Sequence, residues 1–198
     1  MGLFSLLLPL LALAGEPQLA PLPVAGLEQQ YVVEGVITAA YRTNLSPQQH
    51  TLILSKTGSF RDGDLDIRSA RLFATLFADD PDGHQQTWLI QDRVDTCPVD
   101  ITAEFTDPSV SVSDADGDGE PEFWVSYRLA CRGDVSPATL KIIGYEGAQK
   151  YALRGTTRLL LAESRDGGDF QADPAFERAP KLLEHASELW MRVRDERF

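Results

Sequence analysis

The chain has 198 residues, 43% of them hydrophobic, which suffices for one sizeable core. Its 30 acidic residues against 18 Lys and Arg give a net charge of −12. That balance argues against nucleic acid and against anionic lipid surfaces, since both call for a basic face.

Residues 3–13 form an apolar run, and Ala12-Leu13-Ala14 before Gly15 has the small-x-small pattern of a signal-peptidase site. The run is too short to cross a bilayer as a helix. No Lys or Arg precedes it, and no Cys follows it to take a lipid. The reading is a leader over 1–14, cleaved near Ala14 from a periplasmic or secreted protein with no transmembrane anchor. Residues 15–27, with Pro17, Pro21 and Pro23, read as an extended lead-in, and 28–198 as a single domain.

Turn-punctuated runs of β-favouring residues then recur at 31–41, 49–55, 69–78, 86–91, 101–106, 122–130, 139–145 and 149–157, with a further short run at 157–162. Short connections imply antiparallel neighbours. The end of the chain differs: Leu182, Ala186, Leu189 and Val193 recur at intervals of four, three and four, which is helix periodicity, and Pro174 and Pro180 suit helix starts. The expected fold is mainly β. It is a single antiparallel domain, a sandwich or a propeller-blade-like sheet, with a C-terminal helix over about 174–196 that makes Trp190 a packing residue.

Cys97 and Cys131 are the only cysteines. Behind a leader, an even pair is a disulfide by default. The bridge encloses the most charged stretch of the chain, Asp114-Ala115-Asp116-Gly117-Asp118-Gly119-Glu120-Pro121-Glu122. Five carboxylates in nine residues repel one another by about 1 kcal/mol per close pair in water, and by more where solvent is excluded. A hard divalent cation reverses that sign. Asp114, Asp116 and Asp118 alternate on one side of a tight loop, Gly119 allows the sharp turn, Glu120 stands where calcium loops use a backbone carbonyl, and Glu122 closes the shell. Position twelve is Val125 rather than the bidentate Glu of a helical EF-hand, and Phe123, Val125, Tyr127 and Leu129 then alternate as in a strand. The implied cofactor is one Ca2+ ion. A solvated turn without metal is the plainer reading, because Asp and Gly dominate turns. Asp62-Gly63-Asp64-Leu65-Asp66 and Asp79-Asp80-Pro81-Asp82-Gly83-His84 illustrate it and are read as turns.

The nine-residue loop resembles the calcium loops of integrin-type FG-GAP repeats, which also lead into a strand, although no second copy recurs at blade spacing. A longer stretch, from Cys97-Pro98-Val99-Asp100 through Tyr127-Arg128-Leu129-Ala130-Cys131-Arg132-Gly133-Asp134 and Lys141-Ile142-Ile143-Gly144-Tyr145-Glu146-Gly147 to Lys150-Tyr151-Ala152-Leu153-Arg154-Gly155, resembles exported bacterial proteins labelled as surface-polysaccharide biosynthesis proteins. That resemblance implies a polysaccharide or a cell-envelope protein as partner. It names no reaction and places no catalytic role on any residue.

Arg128, Arg132, Lys141, Lys150 and Arg154 are a basic counterpoint in this segment: converging, they suit an anionic sugar; dispersed, they pair with acids on a sheet face. The Arg132-Gly133-Asp134 tripeptide reads as ordinary turn chemistry. Trp88, Trp124 and Tyr151 can stack on sugars, but strand aromatics are more often core. The sequence holds no G-x-S-x-G elbow, no H-E-x-x-H and no phosphate-cradling glycine loop. The functional expectation is a non-enzymatic, calcium-binding, accessory or binding protein of the cell surface; the alternative is a carboxylate-based enzyme acting on surface polysaccharide.

Overall fold

The computed structural model describes residues 17–44, 48–61, 67–160 and 165–197. The leader expected over 1–14, the stretch Asp62 to Asp66 and residues 161–162 of the short run at 157–162 lie outside them.

Two antiparallel sheets face one another. The first contains β1 (Leu19–Leu22), β2 (Val36–Thr43), β3 (Gln49–Lys56) and β5 (Arg68–Asp80) in that order, with β4 (Phe60–Arg61) and β6 (Gly83–Cys97) also paired to β5. The second runs β13 (Phe170–Ala172), β10 (Gln149–Thr156), β9 (Thr139–Glu146), β8 (Glu122–Arg132), β7 (Asp100–Ser113). A small third sheet joins β12 (Arg165–Gly167), β11 (Arg158–Leu160) and β14 (Asp195–Glu196), the last pair parallel. The mainly β, antiparallel expectation holds, with one α-helix among the described residues, α1 (Pro180–Val193), near the C-terminus.

Strand periodicity decides what each face covers. Leu52, Leu54, Leu72, Ala74, Leu76, Trp88 and Ile90 of the first sheet meet Phe123, Val125, Tyr127, Leu129 and Ile143 of the second in one core. The opposite faces are covered too. On the first sheet, Ile53 and Phe77 pack under Leu27 and Tyr31. On the second, Trp124, Leu140, Ile142 and Leu153 pack under Leu182, Ala186, Leu189 and Trp190 of α1. This is why β3, β5 and β8 read as near-continuous apolar runs: strands buried on both faces lose the polar half of the alternation. Burying each large α1 side chain contributes about 1.5–3 kcal/mol, and Trp190 is fully buried with its indole N–H donating to the Gly168 carbonyl at 2.8 Å. Gly144 lies opposite Trp124, and a Cβ there would sit 2.3 Å from the indole ring, so only glycine lets the ring lie across the sheet.

Several boundaries differ from expectation. Strands β6 and β7 extend well beyond 86–91 and 101–106. The polar ends of β6 are tolerated because it is an edge strand with an exposed face. Asp107-Pro108 does not end β7; it occupies a register break between Phe105 and Val110, where a missing N–H costs nothing. At the start of the chain, residues 31–35 precede β2, and the lead-in supplies β1, which pairs with β2. The expected helix divides into a 3-10 turn, Pro174–Arg178, capped by the Asp173 carboxylate accepting from the Ala175 N–H at 3.1 Å, followed by α1.

Cys97 ends a strand of the first sheet and Cys131 lies near the end of β8 in the second, and the two are disulfide-bonded with Cα atoms 5.6 Å apart. The bridge therefore staples sheet to sheet.

Candidate metal centre

The acidic run is the loop between β7 and β8. Its turn is built from its own carboxylates: Asp116 Oδ1 accepts from the Asp118 N–H at 3.2 Å, Asp114 Oδ1 from the Gly119 N–H at 3.3 Å, and Asp118 Oδ1 from the Glu120 N–H at 2.8 Å. The Asp116 and Asp118 contacts, each to the amide two residues on, are Asx turns, and the Asp114 contact spans the loop. Gly117 and Gly119 carry φ of 79° and 93°, the left-handed region that glycine enters without steric cost.

Beneath the loop lies Glu122, the first residue of β8, fully buried. Its Oε2 accepts from the Ser113 hydroxyl at 2.5 Å and from the Ala115 N–H at 3.0 Å, and the Trp124 indole N–H donates to the same serine oxygen at 2.9 Å. Burial pushes the Glu122 carboxyl above its ordinary range; the Ser113 and Ala115 hydrogen bonds offset part of that, and the charges of Asp116 and Asp114 add to it. Lys181, in the first turn of α1, donates to the Asp116 carbonyl at 2.6 Å rather than to a carboxylate.

These side chains converge. One carboxylate oxygen each from Asp114, Asp116 and Glu122 lies within 4.8 Å of the others, and the same holds for Asp116, Asp118 and Glu146. Oxygens so spaced can hold a metal ion. None of the ion pairs made by the described residues involves any of these five acids. Glu120 is exposed, and of its backbone the N–H is engaged within the loop, donating to Asp118 Oδ1.

Glu146 was not among the ligands read from the sequence. It closes β9, pairs in register with Glu122, and accepts from the Tyr151 hydroxyl at 3.3 Å. Burial raises its carboxyl, and the charges of Asp116 and Asp118 raise it further. Only the β8–β9 register could have pointed to it, and a register is not written in either strand alone.

The basic residues are dispersed. Arg128 meets Glu104 at 3.1 Å and Glu196 at 3.7 Å, Arg132 meets Glu196 and the Ser136 carbonyl, Lys141 meets Asp92 at 2.5 Å, and Arg154 meets Asp173 at 3.4 Å. Lys150 lies 5.9 Å from the Tyr145 ring centroid. Arg132 is thus engaged inward rather than offered to solvent. Trp88, Trp124 and Tyr151 are buried in the cores.

A second polar cluster escaped the sequence reading. Asp79, near the end of β5, accepts from Thr51 Oγ1 at 2.6 Å and the Tyr31 hydroxyl at 3.1 Å and lies 2.8 Å from His84 Nδ1, whose ring packs at a tilt against Tyr31 with centroids 4.1 Å apart. It closes the β5–β6 hairpin over the N-terminal segment.

No family model matches this chain, and comparison with curated proteins and with solved structures finds no match. Among the described residues no helix is long and apolar enough to cross a membrane.

Proposed function

We infer that this is an exported, calcium-dependent β-sandwich with a non-enzymatic binding or accessory role at the bacterial cell surface. The observation that carries the calcium reading is the fully buried Glu122 set under a loop of converging aspartates with no Lys or Arg paired to any of them. An all-oxygen site of carboxylates and carbonyls suits a hard cation, and calcium tolerates the irregular geometry of such a loop better than magnesium, which demands a near-ideal octahedron. Asp114, Asp116, Asp118 and Glu122 supply side chains and Glu120 its carbonyl. An exported module needs an affinity of only about 0.1–1 mM.

The disulfide supports an oxidising compartment, and the leader-like start supports export. The surface-polysaccharide association rests on the resemblance over residues 97–157 alone. Amino-terminal sequencing of the exported protein should find Gly15 or a close neighbour first. An intact Met1 on cytosolic protein would overturn the export reading. Glycan-array binding in calcium and in chelator tests the partner class: calcium-dependent retention of an acidic or neutral glycan supports it, and uniform silence on bacterial surface glycans removes it.

A further inference from the structure

The loop's own ligands leave one acid unexplained. Glu146 comes from a different hairpin, β9–β10, yet its register partner across β8–β9 is Glu122. Like charges directly opposite on adjacent strands repel, and here one of the two is fully buried. Glu146 Oε1 is itself closed off from solvent and has no hydrogen-bond partner, while Oε2 has the long contact with the Tyr151 hydroxyl. A buried carboxylate oxygen left bare is costly. The nearby ammonium groups do not relieve it: Lys181 is turned to the Asp116 carbonyl, and Lys150 lies over the Tyr145 ring.

What Glu146 does face is the loop. Its carboxylate oxygen, with one from Asp116 and one from Asp118, falls within the 4.8 Å spacing. Two oxygens on opposite sides of a calcium ion at about 2.4 Å stand about 4.8 Å apart, so this is a distance one ion spans.

We propose that Glu146 is a ligand of the loop's cation, so that the ion ties the β7–β8 loop to the β9–β10 hairpin. The proposal rests on the loop binding a cation at all. It assigns Glu122 and Glu146 complementary roles: Glu122, held by Ser113 and Ala115, sets the floor of the site, and Glu146 brings the ligand that is distant in sequence. Cation binding then couples the two hairpins at one end of the second sheet, directly above the start of α1 where Lys181 anchors the loop.

The test is calorimetric titration of the full mature chain with calcium chloride, comparing wild type, Glu146→Gln and Glu184→Gln. Glu146→Gln should weaken calcium about tenfold or more, whereas Glu184→Gln, which alters an exposed side chain of α1 outside the site, should stay within about twofold. Melting supplies the second readout. In chelator, Glu146→Gln should melt no lower than wild type, because it removes an uncompensated charge; in millimolar calcium it should melt lower. That crossing of sign separates a ligand from a residue that merely packs. Wild-type affinity in Glu146→Gln overturns the inference and leaves the loop site standing. A chelator melting point well below wild type also overturns it, by making Glu146 structural. If wild type itself binds no calcium, the loop reading falls and the inference with it.

Discussion

Strand β8 carries a buried-carboxylate problem at each end. At its start, Glu122 is fully buried with a serine hydroxyl and one amide as donors, under a loop of further acids. About 33 Å along the strand, Arg132 and Arg128 surround Glu196, which is 6% exposed and also accepts from Thr157 Oγ1 at 2.7 Å. Burial pushes Glu196 up, but the bonds and charges of Arg132, Thr157 and Arg128 outweigh it and hold the carboxyl below its ordinary range. Its neighbour Asp195 is held low by the Arg158 hydrogen bonds. Glu122 and Glu146 shift the other way. One end is thus neutralised by the protein's own cations. The other end lacks them, and the difference is the physical case for an ion from solution.

The sharpest way to break this comparison is one substitution made at both ends. Glu196→Gln takes from Arg132 its buried carboxylate and from Arg128 the more distant of its two, and should cost about 3–5 kcal/mol. Glu122→Gln in chelator should be neutral or stabilising, because the amide replaces a carboxylate that has no cationic partner. Urea unfolding of both variants in chelator checks the pair, and equal losses would erase the distinction.

The covalent staple belongs to the arginine end. Replacing both Cys97 and Cys131 by Ser should remove roughly 3–4 kcal/mol in the chain-entropy account, by the same amount with and without calcium. Recovery of the native pair as free thiols after oxidative expression would contradict the bond itself.

Proton linkage gives the smallest effect and the clearest sign. Glu122 and Glu146 have raised folded values, so their contribution is full below the ordinary glutamate value of 4.5 and is lost as pH rises through the raised ones. Asp195 and Glu196 have lowered values, so theirs is present above 3.8 and 4.5 and is lost as pH falls through the folded ones. In chelator, the Glu122→Gln and Glu146→Gln double variant should therefore lose less stability than wild type between acid and neutral pH. Parallel pH profiles for the two proteins would show that these carboxyls are not strained.

Much of this was legible from residues. The alternation of Phe123, Val125, Tyr127 and Leu129 gave β8 and its inward face, the four-three-four spacing gave α1, and the lone cysteine pair gave the bridge. The long edge strands were not, because an exposed edge tolerates Gln, Asp, His and even Pro108, which are the signals used to end a strand. Within the site, the loop ligands are local and readable from spacing, while Glu146 arrives through strand pairing and becomes visible only once β9 is laid beside β8.

The most direct measurement is the melting of wild type and of the Asp116→Ala, Asp118→Ala double variant in millimolar calcium and in chelator, with calorimetric titration of each. Calcium should stabilise wild type by about 2.7 kcal/mol at a hundredfold excess over the dissociation constant and leave the double variant unmoved. An identical wild-type melting temperature in calcium and chelator, with no heat of binding, would contradict the account and return the acidic loop to a solvated turn.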